Sequence, residues 1–297
     1  MASPRITLCL QNFRSNTNPP VASLLDDLSL FKGVAPSLRA DNLLSPAEEF
    51  RRALTGKTGV HITDDATYVQ AVGVMLDRFA AAGCAFADHA LDADFFRLDT
   101  DGRRRSMLIR LAAEYKKRGF TLLLHLGAKR ETSPRLRALA GPAGGYAAAG
   151  EGVSISALAD LLGAMEGDGG LPDTVLFPLN MGDQAPLAVM HGSYAEDGVP
   201  SKVQLGPAWW WCDHALGIRN TLSAISSFGL LSQFIGMTTD SRSVLSFVRH
   251  DYFRRLLCSF IAEQNAASGW EMPKEIQEDY IRKICYQNAR DKIKKEI

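Results

Sequence analysis

The side chains best suited to chemistry stand at the ends of short apolar runs. Phe234-Ile-Gly-Met-Thr-Thr leads into Asp240, Ser241 and Arg242, and Cys84-Ala-Phe-Ala leads into Asp88 and His89. Phe120-Thr-Leu-Leu-Leu leads into His125, with Arg130 just beyond. Ile6-Thr-Leu-Cys-Leu10 is followed by Arg14, and Thr174-Val-Leu-Phe-Pro-Leu by Asn180. A histidine and a carboxylate can exchange protons near neutral pH, and a planar guanidinium grips a carboxylate through two parallel hydrogen bonds. Each residue also has a plainer reading. Asp240 can cap the helix that follows, with Arg242 as its ion-pair partner, and a histidine among leucines is often a satisfied core residue.

The elements that would position these groups are strands alternating with helices. About six apolar runs, at residues 5–10, 84–90, 120–127, 174–180, 202–206 and 234–239, have strand length and turn-forming flanks. Between them, Ala66 to Ala82, Arg104 to Arg118, Ile155 to Met165 and Val244 to Glu263 have apolar positions at helical spacing. Ala22 to Arg52 reads as two helices, the second opened by a Ser45-Pro-Ala-Glu48 capping box, and His61 to Asp65 as a loop and cap. Pro134 to Gly150, rich in glycine and alanine, reads as a long loop bordering a site. The tail from Pro273 to Lys295 reads as a solvated amphipathic helix packed on the rest of the fold.

Helix caps alone would place Ser, Asp and Asn at the strand ends, whereas histidine and arginine have no such role. Their repetition there describes the active face of an α/β protein of the (β/α)8 TIM-barrel type. Closing such a barrel takes about eight strands, so the expected barrel is incomplete, with two strands absent. Residues 1–297 are expected to form one partial barrel domain, with 270–297 as a terminal helical extension. Trp209, Trp210 and Trp211 are adjacent and cannot all enter one core, because successive strand side chains alternate faces. At least one of them lines a cavity or covers a ligand, unless it is packed beneath a loop.

Composition narrows the function. The 297 residues carry 33 basic and 33 acidic side chains, so no net field favours nucleic acid or a membrane surface, and a small-molecule ligand fits better. Cys9, Cys84, Cys212, Cys258 and Cys285 are odd in number and never spaced as a zinc knuckle or redox pair, which points to reduced thiols and a cytoplasmic location. No glycine-rich phosphate loop or Gly-x-Ser-x-Gly elbow follows a strand.

Three ordered segments then carry a resemblance. Gly206-Pro-Ala-Trp-Trp-Trp-Cys-Asp213, Gly229 to Ser243, and Arg249-His-Asp-Tyr-Phe-Arg-Arg-Leu-Leu-Cys258 closely resemble the carboxyl-terminal signature of the uronate isomerases. Gly83 to Asp92, His125 to Arg130 and Phe13-Arg14 are similar to further segments of that family. The resemblance implies a barrel of the amidohydrolase superfamily that interconverts aldose and ketose uronic acids by proton transfer through an enediol. It implies Asp240, Arg242 and His125 as catalytic residues, and Arg14, His89, Arg130, Trp209 and Trp210 as substrate-binding residues. It also implies a divalent metal, taken as zinc. The family's His-x-His pair occurs nowhere in the chain, so the metal falls to Asp240 and His125, with His89 as a further donor. The expected partners are a uronic acid and either a second copy or a complementing amino-terminal segment. The competing expectation is a relative that binds sugar acids without turnover.

Overall fold

Five of the apolar stretches, joined by one strand that was not expected, lie side by side as one parallel sheet. The structure is a computed structural model that describes residues 6–10, 34–141, 145–167, 170–240, 244–269 and 271–293. The strands are β1 (Ile6–Leu10), β2 (Val34–Arg39), β3 (Phe86–Leu91), β4 (Thr121–Leu126), β7 (Thr174–Pro178) and β8 (Val203–Leu205), all parallel and neighbouring in chain order. Between β4 and β7 a two-residue antiparallel pair, β5 (Ala128–Lys129) and β6 (Ala148–Ala149), forms outside the sheet. Parallel neighbours need crossover connections, and from β2 through to β8 each of these contains at least one helix. Among the described residues no ladder joins β1 to β8, so the sheet is an incomplete (β/α) barrel with two open edges.

The helices are α1 (Glu48–Thr58), α2 (Asp65–Ala81), α3 (Phe95–Leu98), α4 (Arg103–Lys117), α5 (Pro134–Ala140), α6 (Ile155–Gly167), α7 (Gln184–Ser193) and α8 (Ala215–Phe228). After them come α9 (Val248–Ser268), α10 (Lys274–Arg282) and α11 (Asn288–Ile293). Helix α2 shows the local logic. Asp64 accepts the Thr67 amide at 2.8 Å while the Thr67 hydroxyl accepts the Asp64 amide at 3.0 Å, a reciprocal cap on orphan donors. The helix then presents Tyr68, Val72, Met75, Leu76 and Phe79 as one buried stripe.

Strand periodicity sorts side chains onto two faces. Leu122, Leu124 and Leu126 of β4 pack with Leu108 and Leu111 of α4 and Leu158 and Leu162 of α6 in the main core. A fully buried leucine there contributes about 2 kcal/mol relative to an exposed one. Leu123, Val175, Phe177 and Trp209 form a separate, smaller cluster on the opposite, inner face. Cross-strand register ties Asp88 to Leu123 and Ala90 to His125, which puts Asp88 and His125 on that inner face. His89 is registered with Leu124 and faces the helices.

Several expectations are corrected. Val34 to Arg39 is a strand where a helix was expected; Pro36 cannot sit inside a helix but is accommodated in β2. Helix α1 starts after Ala47 with no side-chain cap, so the Ser45–Glu48 box is not formed. Phe234 to Thr239 is not a strand, since the segment enters no ladder and Gly236 adopts φ +83°. A Cβ on Gly236 would come within 2.2 Å of the Ile284 carbonyl, so the backbone there follows the close approach of the terminal helices. Pro134 to Gly150 contains helix α5, opened by Ser133, whose hydroxyl accepts the Leu136 amide. As expected, the tail packs on the barrel, with the Asn288 amide donating to the carbonyls of Ser232 and Phe234 and Lys292 pairing with Asp173 at 3.1 Å.

Candidate active site

The inner face carries one connected polar system. Asp88, near the middle of β3, is almost fully buried, and its Oδ1 lies 2.7 Å from Nδ1 of His125 on β4. The approach is bent, outside straight hydrogen-bond geometry, as catalytic contacts often are before substrate closes the site. Its Oδ2 accepts from Nη1 of Arg39 at 3.0 Å, while Nε of Arg39 donates to Asp41 Oδ2 at 2.6 Å. Asp41 Oδ1 accepts the Ala90 amide at 2.6 Å. Burial pushes the Asp88 carboxyl up, but the His125 ring, Arg39 and His89 outweigh it and hold the group at about 2. It is a carboxylate at any working pH.

Aromatic rings fix the plane of His125. The imidazole stacks on Phe177 with ring centres 4.8 Å apart and meets the edge of Trp209 at 4.5 Å. Trp209 is buried and anchored by its indole N–H to the Pro178 carbonyl at 3.2 Å. Nδ1 lies against a carboxylate and is the nitrogen placed to carry a ring proton, which leaves Nε2 for other partners.

A second cluster sits further out. The Trp210 indole N–H donates to Asp240 Oδ2 at 2.5 Å, and the Arg130 guanidinium lies 5.8 Å over the Trp210 ring. Arg130 Nε bonds both oxygens of Asp92 at 3.0 Å, so its terminal nitrogens stand outside that pair. Trp210 and Asp240, bonded to one another, both have positive φ, +48° and +43°. Such backbone costs about 1–3 kcal/mol per residue and concentrates where function holds a group in place. Arg249 contacts the buried Asp213 and also donates to the Thr239 carbonyl at 3.5 Å, which ties the Asp240 segment to helix α9.

The sequence-predicted residues therefore divide. His125, Trp209, Trp210, Arg130 and Asp240 lie in these two linked clusters, joined by the contact between the Trp209 and Trp210 rings at 4.7 Å. Asp240 is exposed and bonded to Trp210. His89, expected among the substrate-binding residues, is instead in the main core. It is fully buried on the helix-facing side, with Nε2 2.9 Å from the Tyr115 hydroxyl, and burial pushes its pKa down to about 4. Strand alternation is the reason, since Asp88 next to it takes the inner face. Arg14 and Arg242 lie outside the described residues. Asn180 caps the following turn by accepting the Gly182 amide.

Sequence reasoning missed Arg39, Asp41 and Asp92 as partners of the site. Arg39 ends β2, the strand it did not find, and Asp41 lies two residues beyond it. No group of three or more His, Cys, Asp or Glu side chains among the described residues is arranged to hold a metal. His125 Nδ1 is taken up by Asp88, and the described donors do not by themselves fit a catalytic divalent ion, which takes about three protein ligands.

Comparison with known proteins points the same way as the fold. The glucuronate isomerase family profile matches residues 97–292. A uronate isomerase of Serratia proteamaculans is 34% identical over 309 residues, covering 90% of this chain and 64% of the relative. One from Salmonella paratyphi B is 34% identical over 313 residues, covering 92% and 65%. This chain thus spans less than two thirds of the length of these relatives. In fold it is similar to the crystal structures of uronate isomerase from Thermotoga maritima (TM-score 0.77, 21% identity, 97% of this chain and 67% of that one) and glucuronate isomerase from Caulobacter crescentus (TM-score 0.76, 19% identity, 93% and 62%). With a match that covers most of its length, the chain belongs to the glucuronate isomerase family.

Proposed function

We propose that this chain carries a uronate isomerase site and interconverts aldose and ketose uronic acids, D-glucuronate with D-fructuronate and D-galacturonate with D-tagaturonate. The observation that carries the reading is His125, held between Phe177 and Trp209 with one ring nitrogen against the ionised Asp88. Moving a carbonyl from C1 to C2 requires a base for the proton on C2, an acid for the carbonyl oxygen, and return of a proton to C1 through an enediol. Asp240 takes the carbon-bound proton and returns it to the neighbouring carbon. His125, through Nε2, exchanges the proton between the two oxygens. Trp209 and Trp210 exclude water beside the sugar. The terminal nitrogens of Arg130 bind the substrate carboxylate together with Arg14, and Arg242 stands as an electrophile near the developing oxyanion, both of these arginines lying outside the described residues.

The described donors do not form a site for the divalent ion, taken as zinc, that the resemblance implies: Asp240 could ligate it, but His125 has Nδ1 against Asp88 and Nε2 in the proton exchange, so the remaining ligands would have to come from outside the described residues. The open edges at β1 and β8 give a second copy or an amino-terminal segment a place to pair, because an exposed strand edge is a template for another chain. Light scattering that shows a stable monomer would count against such a partner. No helix among the described residues is long and apolar enough to cross a membrane, and we place the protein in the cytoplasm.

The test is ketose formation from D-glucuronate by the purified chain, with zinc or manganese added, alone and co-expressed with an amino-terminal segment that contains His-x-His. Activity abolished by Asp240→Asn supports the reading. A preparation that is silent under both conditions overturns it in favour of a sugar-acid-binding relative without turnover.

A further inference from the structure

Arg39 has been given no role in the reaction, yet it grips the carboxylate that faces His125. Its guanidinium is a planar fork with two arms engaged on different carboxylates, Nη1 on Asp88 at 3.0 Å and Nε on Asp41 at 2.6 Å. Asp41 is in turn pinned to the backbone of β3 through the Ala90 amide, two residues beyond Asp88. The loop of contacts therefore starts and ends on the same strand. It leaves Asp88 no freedom to swing: Oδ2 is held by Arg39 and Oδ1 is left facing the imidazole.

We propose that Arg39 is a positioning residue for the isomerisation, braced by Asp41, which acts through Asp88 to hold His125 in the tautomer with its proton on Nδ1 and Nε2 turned to substrate. The proposal rests on the assignment of His125 as an acid and base, but its geometric content can be read without turnover. Two features separate it from simple charge neutralisation. A buried carboxylate could be neutralised by a single cation in many orientations, whereas a two-armed guanidinium anchored on a second carboxylate fixes the carboxylate plane. The rings of Phe177 and Trp209 already fix the plane of the imidazole, so the angle of the Asp88 carboxylate decides whether Nδ1 is met. Partners one layer behind an active group typically change activity by about 10- to 100-fold.

The experiment is long-range proton–nitrogen NMR of the His125 ring in the full chain, in the wild type, Arg39→Met, Arg39→Lys and Asp41→Asn, with circular dichroism to confirm folding. The wild type is expected to show a single Nδ1–H tautomer with a slowly exchanging Nδ1 proton. Arg39→Met should mix the tautomers and speed that exchange about tenfold or more, the low end of the range for such partners. Arg39→Lys restores the charge without the fork and should recover only part of the order, and Asp41→Asn should give a smaller loss of the same kind. Where isomerisation is measurable, kcat falls and KM stays within about twofold, as expected of a residue that acts through Asp88 rather than on substrate. An unchanged tautomer and exchange rate in a folded Arg39→Met or Asp41→Asn overturns the proposal whether or not the chain turns over. Full recovery in Arg39→Lys overturns it as well, because charge alone would then suffice. A chain without isomerase activity that still shows the expected NMR response leaves the Arg39 assignment standing and removes only the assigned reaction.

Discussion

Asp88 and His89 are consecutive residues on one strand, and they lead opposite lives. Asp88 faces the inner surface, ionised, between Arg39 and His125. His89 faces the helices, neutral, with the Tyr115 hydroxyl for company. Both are buried and both are polar, so neither residue type nor exposure distinguishes the site from the core. What distinguishes them is the face of the strand, and whether the polar partner belongs to a charged network or to a single hydroxyl in an apolar layer.

The largest effect expected from breaking this contrast is on the inner side. Asp88→Ala removes the buried carboxylate shared by Arg39 and His125 and leaves the part-buried guanidinium with Asp41 alone and the imidazole with no acid partner. Removing one partner of a buried ionic system costs about 3 kcal/mol or more, which chemical denaturation will read as a lower midpoint.

On the outer side the comparable effect is a pH dependence. His89 takes its proton near 6.5 when unfolded and only near 4 when folded, because burial disfavours the charged ring. Between those values the unfolded chain binds more protons, so this contribution is complete above about 6.5 and is lost as the pH falls towards 4, reaching roughly 3 kcal/mol. Asp88 adds a loss only lower, as the pH falls from 3.8 towards 2. His89→Gln should flatten the stability profile between pH 6.5 and 4 and leave the lower limb in place. A profile in that window identical to the wild type would show that His89 is not buried neutral.

Smaller effects sharpen the comparison. Tyr115→Phe strips His89 of its partner and should cost about 1 kcal/mol of stability. Arg130→Ala, at an exposed pair with Asp92, should change stability by less than about 0.5 kcal/mol. It should nonetheless raise KM for a uronate several-fold, whereas Tyr115→Phe leaves KM unchanged.

Much of the frame was legible because parallel strands buried on both faces read as short apolar runs. That is why β1, β3, β4, β7 and β8 could be placed from residue order. β2 was hidden because Pro36, Ser37 and Arg39 interrupt its apolar character, and with it went Arg39 and Asp41. Phe234 to Thr239 has the composition of a strand, but pairing is a property of neighbours, and Gly236 is bent by the approach of Ile284. The site residues His125, Trp209, Trp210 and Asp240 were picked out by their position after apolar runs and by family resemblance. The misplacement of His89 has a simple cause: a chemically suggestive pair at a strand end says nothing of which member faces in until the register with β4 is known.

The measurement that bears most directly on the account is the rate of D-glucuronate isomerisation, per folded molecule at pH 8, of His125→Asn and His89→Gln beside the wild type. The account predicts that His125→Asn loses about 100-fold or more, the scale of general acid–base catalysis, while His89→Gln stays within about twofold. Equal losses in the two variants, or an active His125→Asn, would contradict the assignment of chemistry to the inner face.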